Sequence, residues 1–505
     1  MKRPYLLLGT VSLSLSFVAL RCDTSLLLIL ALSILLVFLA FICFKRNGIF
    51  KNPNNLIFIL VLCLLCISCL FRILFVYAPT TKLEGTSARF EGVIIREPEI
   101  RDEWTVYTLE GRHSMMKGKF KCNIILSDSS YNIGDRLNVN ISSRIEDDKY
   151  RNNNLADGIY LSTYVKEIKD VSVAASPFYH TLGKLREFIK TKIYSVCKDD
   201  TGGVMLALLT GNRQFISDSL YEKTKICGVT HILVVSGLHV GILSGVLLKF
   251  LSKIKLKQKI SVIICLLLLF LLVALCDFHS SAIRSVIMGT IMLLGTLISR
   301  RADPLNSLGF AVTVMTLINP FIAGSPSFLL SVFATFGVIF LAPMLEYLTY
   351  ELKLRGRFAR ILNGAFDIII VSVSATVCIL PISTFYFGYI SPLSAPVTVL
   401  IGLAVEFSLV LSALGVILSS IPFIKIIAIP VFYIAGIFTK YINLVIDFFG
   451  NFSFLLIDID PKHSNLTFIF SSLLILTVWI LYNNKKLKER KKNDAAERED
   501  SKKLS

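Results

Sequence analysis

Residues 227–251 read CGVTHILVVSGLHVGILSGVLLKFL, and the apolar run from 228 to 250 is long enough to predict a helix that crosses a membrane. Similar runs recur along the chain. Of the 505 residues, 54% are hydrophobic and 17% are charged, whereas soluble proteins carry about 25% charged residues. This composition excludes a water-soluble enzyme as a description of the whole chain. It indicates a polytopic α-helical membrane protein.

About twelve membrane helices are predicted. Three precede a polar segment, near residues 5–20, 25–44 and 56–77. Nine follow it, near residues 228–250, 260–276, 281–299, 305–322, 327–349, 365–388, 393–420, 424–448 and 466–482. In this register the basic clusters between helices all fall on one side, which the positive-inside rule makes the cytoplasmic side. Most of the net charge of +18 is therefore explained by topology. We expect a multi-pass protein of the bacterial inner membrane with both termini in the cytoplasm.

The predicted organisation has five parts. They are three N-terminal membrane helices (1–79), an extracytoplasmic β domain (80–172), interfacial amphipathic helices (173–227), a helical channel domain (228–482) and a charged cytoplasmic tail (483–505). The β domain alternates apolar and polar residues over five short stretches, which favours a small OB-like β-barrel inserted after the third helix. The predicted strands are Arg89–Ile95, Thr105–Glu110, Lys119–Leu126, Arg136–Ser142 and Tyr160–Val165.

The β domain is a weak candidate for nucleic-acid binding. It carries 14 basic and 15 acidic residues, so its net charge supplies no bulk attraction for a polyanion. Its densest basic cluster is formed by Arg112, Lys117, Lys119 and Lys121, and its candidate stacking residues are Phe90, Trp104, Tyr107 and Phe120. The alternative is that the lysines protect a solvated strand edge against aggregation.

The stretch at 227–251 contains polar side chains that an apolar helix does not need. On one continuous helix His231, Ser236 and His239 would share a wedge, and Gly237, Gly241 and Gly245 would form a close-packing face on the other side. The wedge would then face a cavity, a pore or another helix. Hydrogen bonding between helices explains the histidines equally well. A hydrolase role for Ser236 is weaker, because no acidic partner or nucleophile elbow accompanies it.

Further ionisable residues lie in or beside predicted helices. Asp277, His279 and Arg284 fall within eight residues between two helices, where they could line a pore mouth or satisfy one another. Glu406 lies in the middle of a helix and is a candidate for a transport pathway or a proton site, the alternative being an unidentified partner. Asp303 followed by Pro304 predicts a helix start, with Asp303 as the N-cap. The residues indicate no metal site.

Several motifs resemble those of the ComEC competence-protein family. They are Leu206–Arg213 (LALLTGNR), Thr230–Gly241 (THILVVSGLHVG), Ser281–Arg284 (SAIR), Arg301–Asn306 (RADPLN) and Ser327–Thr335 (SFLLSVFAT). The resemblance covers about residues 80–420 and implies an external OB-like domain and a channel that passes one DNA strand inward. His231, Ser236, Gly237, His239, Arg284 and Asp303 match family motifs that define no catalytic role. Many members also carry a metallo-β-lactamase-like nuclease domain, whose H-x-H-x-D-H motif this sequence lacks.

We therefore expect a DNA-uptake channel of natural transformation that carries single-stranded DNA and makes or breaks no bonds. It needs no cofactor. By resemblance its partners would be an external DNA receptor, a cytoplasmic helicase-type ATPase and a separate nuclease. The alternatives are a proton-coupled transporter of a small solute, driven through Glu406 or the histidines, and an intramembrane hydrolase that uses Ser236.

Overall fold

The computed structural model describes residues 3–21, 53–83, 85–101, 104–116, 118–127, 131–142, 148–233, 237–298, 302–352 and 359–504. The predicted helix at 25–44 lies outside them. The chain divides into two compact units. The first contains residues 1–218, 231–328 and 404–443, and the second contains residues 219–230, 329–403 and 444–505.

A closed β-barrel follows the N-terminal helices in the first unit. Its strands and one added hairpin strand are β1 (Ser87–Ile94), β2 (Glu99–Arg101), β3 (Trp104–His113), β4 (Lys119–Leu126), β5 (Arg136–Ser142) and β6 (Ile159–Ser172). The ring runs β1-β5-β6-β4-β3 and closes because β1 also pairs with β3; β2 pairs only with β3. The pairing of β4 with β6 is parallel, and the other four barrel pairings are antiparallel. The prediction of a small β-barrel after the N-terminal helices is confirmed.

The barrel core follows from the alternation of the strands. On β4, Phe120, Cys122 and Ile124 point inward and are at most 4% exposed, while the residues between them lie nearer the surface. Each large apolar side chain moved from water to such a core contributes about 1.5 to 3 kcal/mol. The hydrophobic pattern therefore sets the register of the strands.

Sixteen α-helices of eight or more residues are found among the described residues. They are α1 (Pro4–Arg21), α2 (Pro53–Arg72), α3 (Asp148–Ala156), α4 (Pro177–Tyr194), α5 (Asp199–Thr210), α6 (Asp218–Ile226), α7 (Gly237–Lys253), α8 (Gln258–Leu275), α9 (Ser280–Leu297), α10 (Pro304–Ile318), α11 (Pro326–Phe336), α12 (Ala342–Thr349), α13 (Ala359–Phe387), α14 (Ser394–Ser419), α15 (Lys425–Gly450) and α16 (Ser464–Leu504). A short pair of strands, β7 (Tyr389–Ile390) and β8 (Ile457–Asp458), lies in the second unit.

Eight helical segments in the described part of the chain are long and apolar enough to span a bilayer. They are Cys63–Thr81, Gln258–Leu275, Ser280–Leu297, Pro326–Thr349, Leu362–Phe387, Ser394–Ser419, Lys425–Gly450 and Ser464–Glu489. Pro4–Leu20 and Pro304–Ile318 are shorter apolar helices. The chain is therefore a multi-pass membrane protein, and the number of twelve spans stays a prediction.

Helices α1 and α10 cross at two glycines in the first unit. A Cβ atom added to Gly309 would lie 2.1 Å from the carbonyl oxygen of Tyr5, and one added to Gly9 would lie 2.6 Å from the Cα of Gly309. The backbones of α1 and α10 touch because neither crossing residue has a side chain.

At the start of α10 the side chain of Asp303 accepts a hydrogen bond from the backbone N–H of Asn306 at 2.8 Å. The predicted N-cap is therefore confirmed.

In the second unit α16 packs against α12 and α13. The hydroxyl groups of Thr384 and Thr467 lie 2.8 Å apart in a buried position. Further along α16, Lys485 forms an ion pair with Glu351 at 2.8 Å. The apolar part of α16 thus continues into a polar end that remains attached to the same unit.

Candidate functional site

The outward face of β3, β4 and β6 carries two exposed aromatic rings. Trp104 begins β3 and Tyr164 lies on β6, and their rings meet edge to face with centroids 5.8 Å apart. The two residues are 47% and 51% exposed. Stacking on exposed rings is how proteins hold unpaired bases without reading their sequence. The pair is therefore a candidate contact for single-stranded nucleic acid.

The other three predicted stacking residues belong to the barrel core. Phe90 and Tyr107 are 0% exposed and Phe120 is 4% exposed. Each occupies an inward position of its strand, so its ring fills the barrel and cannot meet a base. The prediction that these three residues stack on DNA was wrong.

The predicted basic cluster is divided between two environments. Arg112 and Lys119 lie directly opposite each other on β3 and β4, and both are exposed. Lys121 lies closer to the helices, where its ammonium group is 3.5 Å from the carbonyl oxygen of Asp157. Burial, followed by the charge of Arg96, lowers the pKa of Lys121. Lys117 lies outside the described residues, so Arg112 and Lys119 form the accessible part of the cluster.

A set of charged side chains lies where the barrel meets the turn between α8 and α9. We call this set the ionic layer, and its members are Arg96, Glu97, Lys121, Asp157, Arg186, Asp277 and His279. Within it Arg96 Nη1 lies 2.7 Å from Asp157 Oδ2, with side chains only 16% and 21% exposed. The charge of Asp157 also acts on His279, at the start of α9. The layer therefore links the barrel to the ends of two predicted membrane helices.

The two carboxylates on the barrel side of the layer have opposite pKa shifts. Burial raises the pKa of Asp157, but the charge and hydrogen bond of Arg96 outweigh it, so the pKa is below its ordinary value. Burial also raises the pKa of Glu97, and there a hydrogen bond with Asn212 offsets it only in part. The pKa of Glu97 is therefore above its ordinary value. One carboxylate is stabilised as an anion and the other is not.

Arg186 on α4 connects the amphipathic helix to the α8–α9 turn. It is 5% exposed, its Nη2 donates to the carbonyl oxygen of Ala274 at 2.7 Å, and the same atom lies 2.7 Å from Asp277 Oδ1. Asp277 and Phe278 both have positive φ angles, 52° and 55°. Such a backbone is unfavourable for a bulky residue and persists only where its surroundings hold it. The ion pair with Arg186 is one contact that holds this turn.

His279 and Arg284 extend the polar groups from the turn into α9. Burial lowers the pKa of His279, and the charge of Arg96 acts in the same direction. Arg284 is 4% exposed and contacts Ser285 Oγ at 3.3 Å and Met288 Sδ at 3.5 Å. A buried cation inside a membrane helix is costly and marks a candidate pathway residue. Of the residues predicted from this segment, the structure places Asp277 and His279 in the ionic layer and Arg284 one turn deeper.

The predicted wedge of His231, Ser236 and His239 does not form on a single helix. His231 lies in a short 3₁₀ turn, Thr230–Leu233, which precedes α7. The prediction of one helix from 228 to 250 was therefore wrong at its start, because residues 228–233 form a turn and a 3₁₀ helix instead of an α-helix. His239 is 1% exposed and within electrostatic reach of His231. Ser236 lies outside the described residues.

The glycines of α7 are not closely packed. Gly241 and Gly245 have no described neighbour within 4 Å of an added Cβ atom, apart from the helix backbone and adjoining residues. The structure therefore differs from the predicted close-packing face, since no described helix approaches here. The surroundings of the Gly237 side-chain position lie outside what the structure describes.

Glu406 stays apart from the other candidate residues. It lies on α14 and is half-buried. Among the described residues no hydrogen bond or ion pair involves it, and no group of three His, Cys, Asp or Glu side chains could hold a metal ion. Glu406 thus remains a candidate on sequence grounds alone.

Sequence reasoning missed four members of this site: Arg96, Glu97, Asp157 and Arg186. In the sequence Arg186 is one of several basic residues on the amphipathic helix. Only the structure separates it from Lys190, because Arg186 is 5% exposed and the side chain of Lys190 is 34% exposed. Tyr164, the partner of Trp104, was likewise not singled out. Its outward position opposite Ile125 on β4 follows only from the strand register.

Comparison with known proteins covers mainly the helices after the barrel. The profile of the family described as "Competence protein" matches residues 208–485. This match covers more than half of the chain. The chain belongs to this family. The match includes α7 and the α8–α9 turn, with His231, Asp277, Arg284 and Glu406, whereas the barrel and Arg186 precede it.

One curated relative is ComE operon protein 3 of Bacillus subtilis (strain 168). It is 27% identical over 223 residues, which are 44% of this competence-family chain and 27% of the relative. The matched region thus spans about a quarter of the relative's length. No solved structure matches the chain.

Proposed function

We propose that this competence-family protein is a membrane channel for DNA uptake in natural transformation and that it passes single-stranded DNA into the cytoplasm. The observation that carries the proposal is the ionic layer, in which charges on the barrel act on His279 of a turn that lies within the family match, while the barrel carries an exposed aromatic pair. Family membership and the name of the relative support the role in DNA uptake.

The proposed path begins on the barrel. Bases stack on Trp104 and Tyr164, while Arg112 and Lys119 on the same outward face contact phosphates. A strand then passes the ionic layer toward Arg284 and the open face of α7, where Gly241 leaves space along the helix. Exposed rings and a few cations suit a polyanion that must move, because neither reads sequence nor holds the strand tightly.

The proposal includes a location and partners. The barrel lies outside the inner membrane and both termini lie in the cytoplasm, as the positions of the basic loops indicate. An external receptor delivers the DNA, and a cytoplasmic helicase-type ATPase supplies the energy. The chain itself makes and breaks no bonds, so any strand degradation is the work of a separate nuclease.

The first test is uptake of labelled DNA by cells that lack the gene. We expect surface binding to persist and entry into the cytoplasm to stop, with the wild-type gene restoring entry. The double variant Trp104→Ala/Tyr164→Ala should restore much less entry, whereas Met115→Ala, which alters another exposed apolar barrel residue, should restore it fully. Unchanged entry in the deletion strain would overturn the proposal.

The second test measures binding of a thymidine oligonucleotide to the full-length protein in nanodiscs across salt concentrations. Replacing Arg112 and Lys119 by glutamine removes two phosphate contacts, so the log–log salt slope should fall by about 1.4 for single-stranded DNA. Arg136→Gln is a matched control, because its side chain is 46% exposed and pairs with Glu91. An equal salt slope in all three proteins would separate the basic pair from DNA binding.

A further inference from the structure

A cleft lies at the foot of the barrel, beside the ionic layer, since its wall residue Ile159 pairs with Lys121 of that layer. It encloses about 340 Å³, including its open mouth. Among its walls are Tyr77, Thr80 and Thr81 at the end of a predicted span, and Arg151, Asn154 and Tyr160 from the β5–β6 connection and the start of β6. No carboxylate is found among the described residues that line it. Arg151 is the charged residue among these described walls.

One hydroxyl in the cleft has no acceptor among the described residues. Tyr160 is 8% exposed, and Arg72, whose side chain reaches its hydroxyl oxygen, can donate to that oxygen but cannot accept from the O–H group. Leaving a buried hydroxyl unsatisfied is unfavourable, so such a group points to a missing acceptor. Burial raises the pKa of the Tyr160 hydroxyl, and the nearby charge of Arg72 opposes this. The hydroxyl therefore stays protonated at neutral pH and is available as a donor.

Two arginines give the cleft its charge. Arg151 lies with its guanidinium carbon 5.6 Å from the centroid of the Tyr77 ring and also contacts the hydroxyl of that tyrosine. Arg72 lies outside the wall, and its charge acts on Tyr160 and on Lys121 of the barrel. The hydroxyls of Thr80 and Thr81 donate to backbone carbonyl oxygens of their own helix. The two arginines and the Tyr160 hydroxyl therefore form the donor set that suits the oxygens of a phosphate group.

The position of the cleft identifies the source of that phosphate. Tyr77, Thr80 and Thr81 form the last turns of the span Cys63–Thr81, so the cleft opens where the helix leaves the apolar layer. Tyrosine is enriched at this depth of a bilayer, and basic pockets beside membrane helices bind anionic headgroups. A lipid headgroup reaches this level without leaving the membrane.

We propose that this cleft binds the phosphate of an anionic phospholipid headgroup, with Arg151 and the Tyr160 hydroxyl as donors. Bound in this way, the lipid joins the end of the span Cys63–Thr81 to the β5–β6 connection. This site is independent of the proposed DNA path, so either proposal can fail alone.

The test uses the full-length protein in detergent, equilibrated with an equimolar mixture of phosphatidylglycerol and phosphatidylcholine and examined by native mass spectrometry. We expect the wild type to retain phosphatidylglycerol preferentially. Arg151→Gln and Tyr160→Phe should each reduce that preference, by about fivefold for the loss of one arginine. Tyr160→Phe keeps the shape of the side chain, so it tests the hydroxyl even if Arg151→Gln folds poorly. Arg136→Gln is the control with an exposed arginine.

Competition separates the sources of phosphate. Phosphatidylglycerol retention that survives excess inorganic phosphate and excess thymidine oligonucleotide supports the headgroup. Displacement by the oligonucleotide would overturn the proposal and assign the cleft to nucleic acid. Equal retention in the wild type, Arg151→Gln and Tyr160→Phe would overturn it as well, because the lipid would then bind elsewhere.

Discussion

The crossing of α1 over α10 and the seating of the barrel on the α8–α9 turn are two contrasting ways of joining parts of the first unit. At the crossing the backbones touch at Gly9 and Gly309, with no side chain between them. In the ionic layer the contacts are made by charged side chains. Arg96 pairs with Asp157 within the barrel domain, and Arg186 on α4 pairs with Asp277 of the α8–α9 turn, at 2.7 Å each. The crossing therefore has no room to change, whereas the barrel seat depends on which groups are charged.

The difference has consequences for movement. Contacts of glycine backbone are set by shape and do not respond to pH or salt. An ionic contact can be weakened by protonation or by a competing polyanion such as DNA. We infer that the crossing is a fixed part of the framework and that the barrel seat is the place where the protein can respond to the proposed DNA substrate. Substitutions at the two sites should therefore change the free energy of unfolding by different amounts and with a different dependence on pH.

The largest effect is expected at Gly309. In Gly309→Ala the new Cβ atom would lie 2.1 Å from the Tyr5 carbonyl oxygen and 2.5 Å from the Leu6 Cα, and both belong to backbone. Separating the helices should cost about 3 kcal/mol or more, because backbone cannot move aside as a side chain can. Thermal unfolding in nanodiscs measures the loss. Gly364→Ala, with no described atom within 4 Å, is the control and should not be destabilised.

The next effect concerns the buried pair of Arg186 and Asp277. Arg186→Met keeps an unbranched side chain but leaves Asp277 without its cation. The free energy of unfolding should fall by about 2 to 3 kcal/mol. This is toward the lower end for a buried pair, because Asp277 is 19% exposed. The double variant Arg186→Met/Asp277→Asn should recover part of this loss. A double-mutant cycle on the thermal unfolding free energies measures the coupling, and additive losses would show that the pair contributes nothing specific.

Asp157 should give a smaller effect that depends on pH. Its pKa is lowered in the folded state, so its contribution to stability is present above the unfolded pKa and is lost as the pH falls through the folded pKa. Asp157→Asn should therefore cost about 1 to 2 kcal/mol at pH 7 and progressively less below about pH 4. Unfolding midpoints at a series of pH values measure this, and a loss that is independent of pH would contradict the ion-pair account.

Glu97 should behave in the opposite way. Its pKa is raised in the folded state, so stability is complete below the unfolded pKa and declines as the pH rises through the folded pKa. Glu97→Gln should match the wild type near pH 4 and be more stable at pH 7, by about 1 kcal/mol or less. The same pH series tests it. Destabilisation at pH 7 would show that the ionised carboxylate is a required partner of Arg186.

The barrel was largely predictable from sequence, whereas its seat was not. The predicted Lys119–Leu126 and Arg136–Ser142 coincide with β4 and β5, because alternation on a half-buried strand is a local pattern. Helix α3 (Asp148–Ala156) was missed because its sequence is polar. It is held from outside by Asn319, whose side-chain amide donates to the carbonyl oxygens of Leu155 and Ala156 at 2.9 and 2.7 Å. Contacts between residues this far apart leave no local pattern.

The ionic layer was not predicted for the same reason, since its members lie far apart in the sequence. Arg96 is followed by four acidic residues within seven positions, so nothing in its neighbourhood distinguishes Asp157 as its partner. In α7 the spacing of the glycines is a local pattern, but the structure does not show the close packing that this pattern predicts. Glycines four residues apart favour close packing, yet the tight helix contacts form at glycines without such spacing: Gly9 and Gly309, and Gly337, where an added Cβ atom would lie 2.4 Å from the carbonyl oxygen of Ser374.

The smallest effect on stability is therefore expected on α7, and it completes the contrast with Gly309. Gly241→Leu adds a side chain where no described neighbour lies within 4 Å, so the free energy of unfolding should change by less than about 1 kcal/mol, in the stabilising direction. If the open face of α7 lines the DNA path, the same variant should lower entry of labelled DNA although the protein remains folded. Gly364→Leu controls for the added side chain. A strong loss of stability in Gly241→Leu would show that α7 is closely packed, and the open face would then be a contact like that of Gly309.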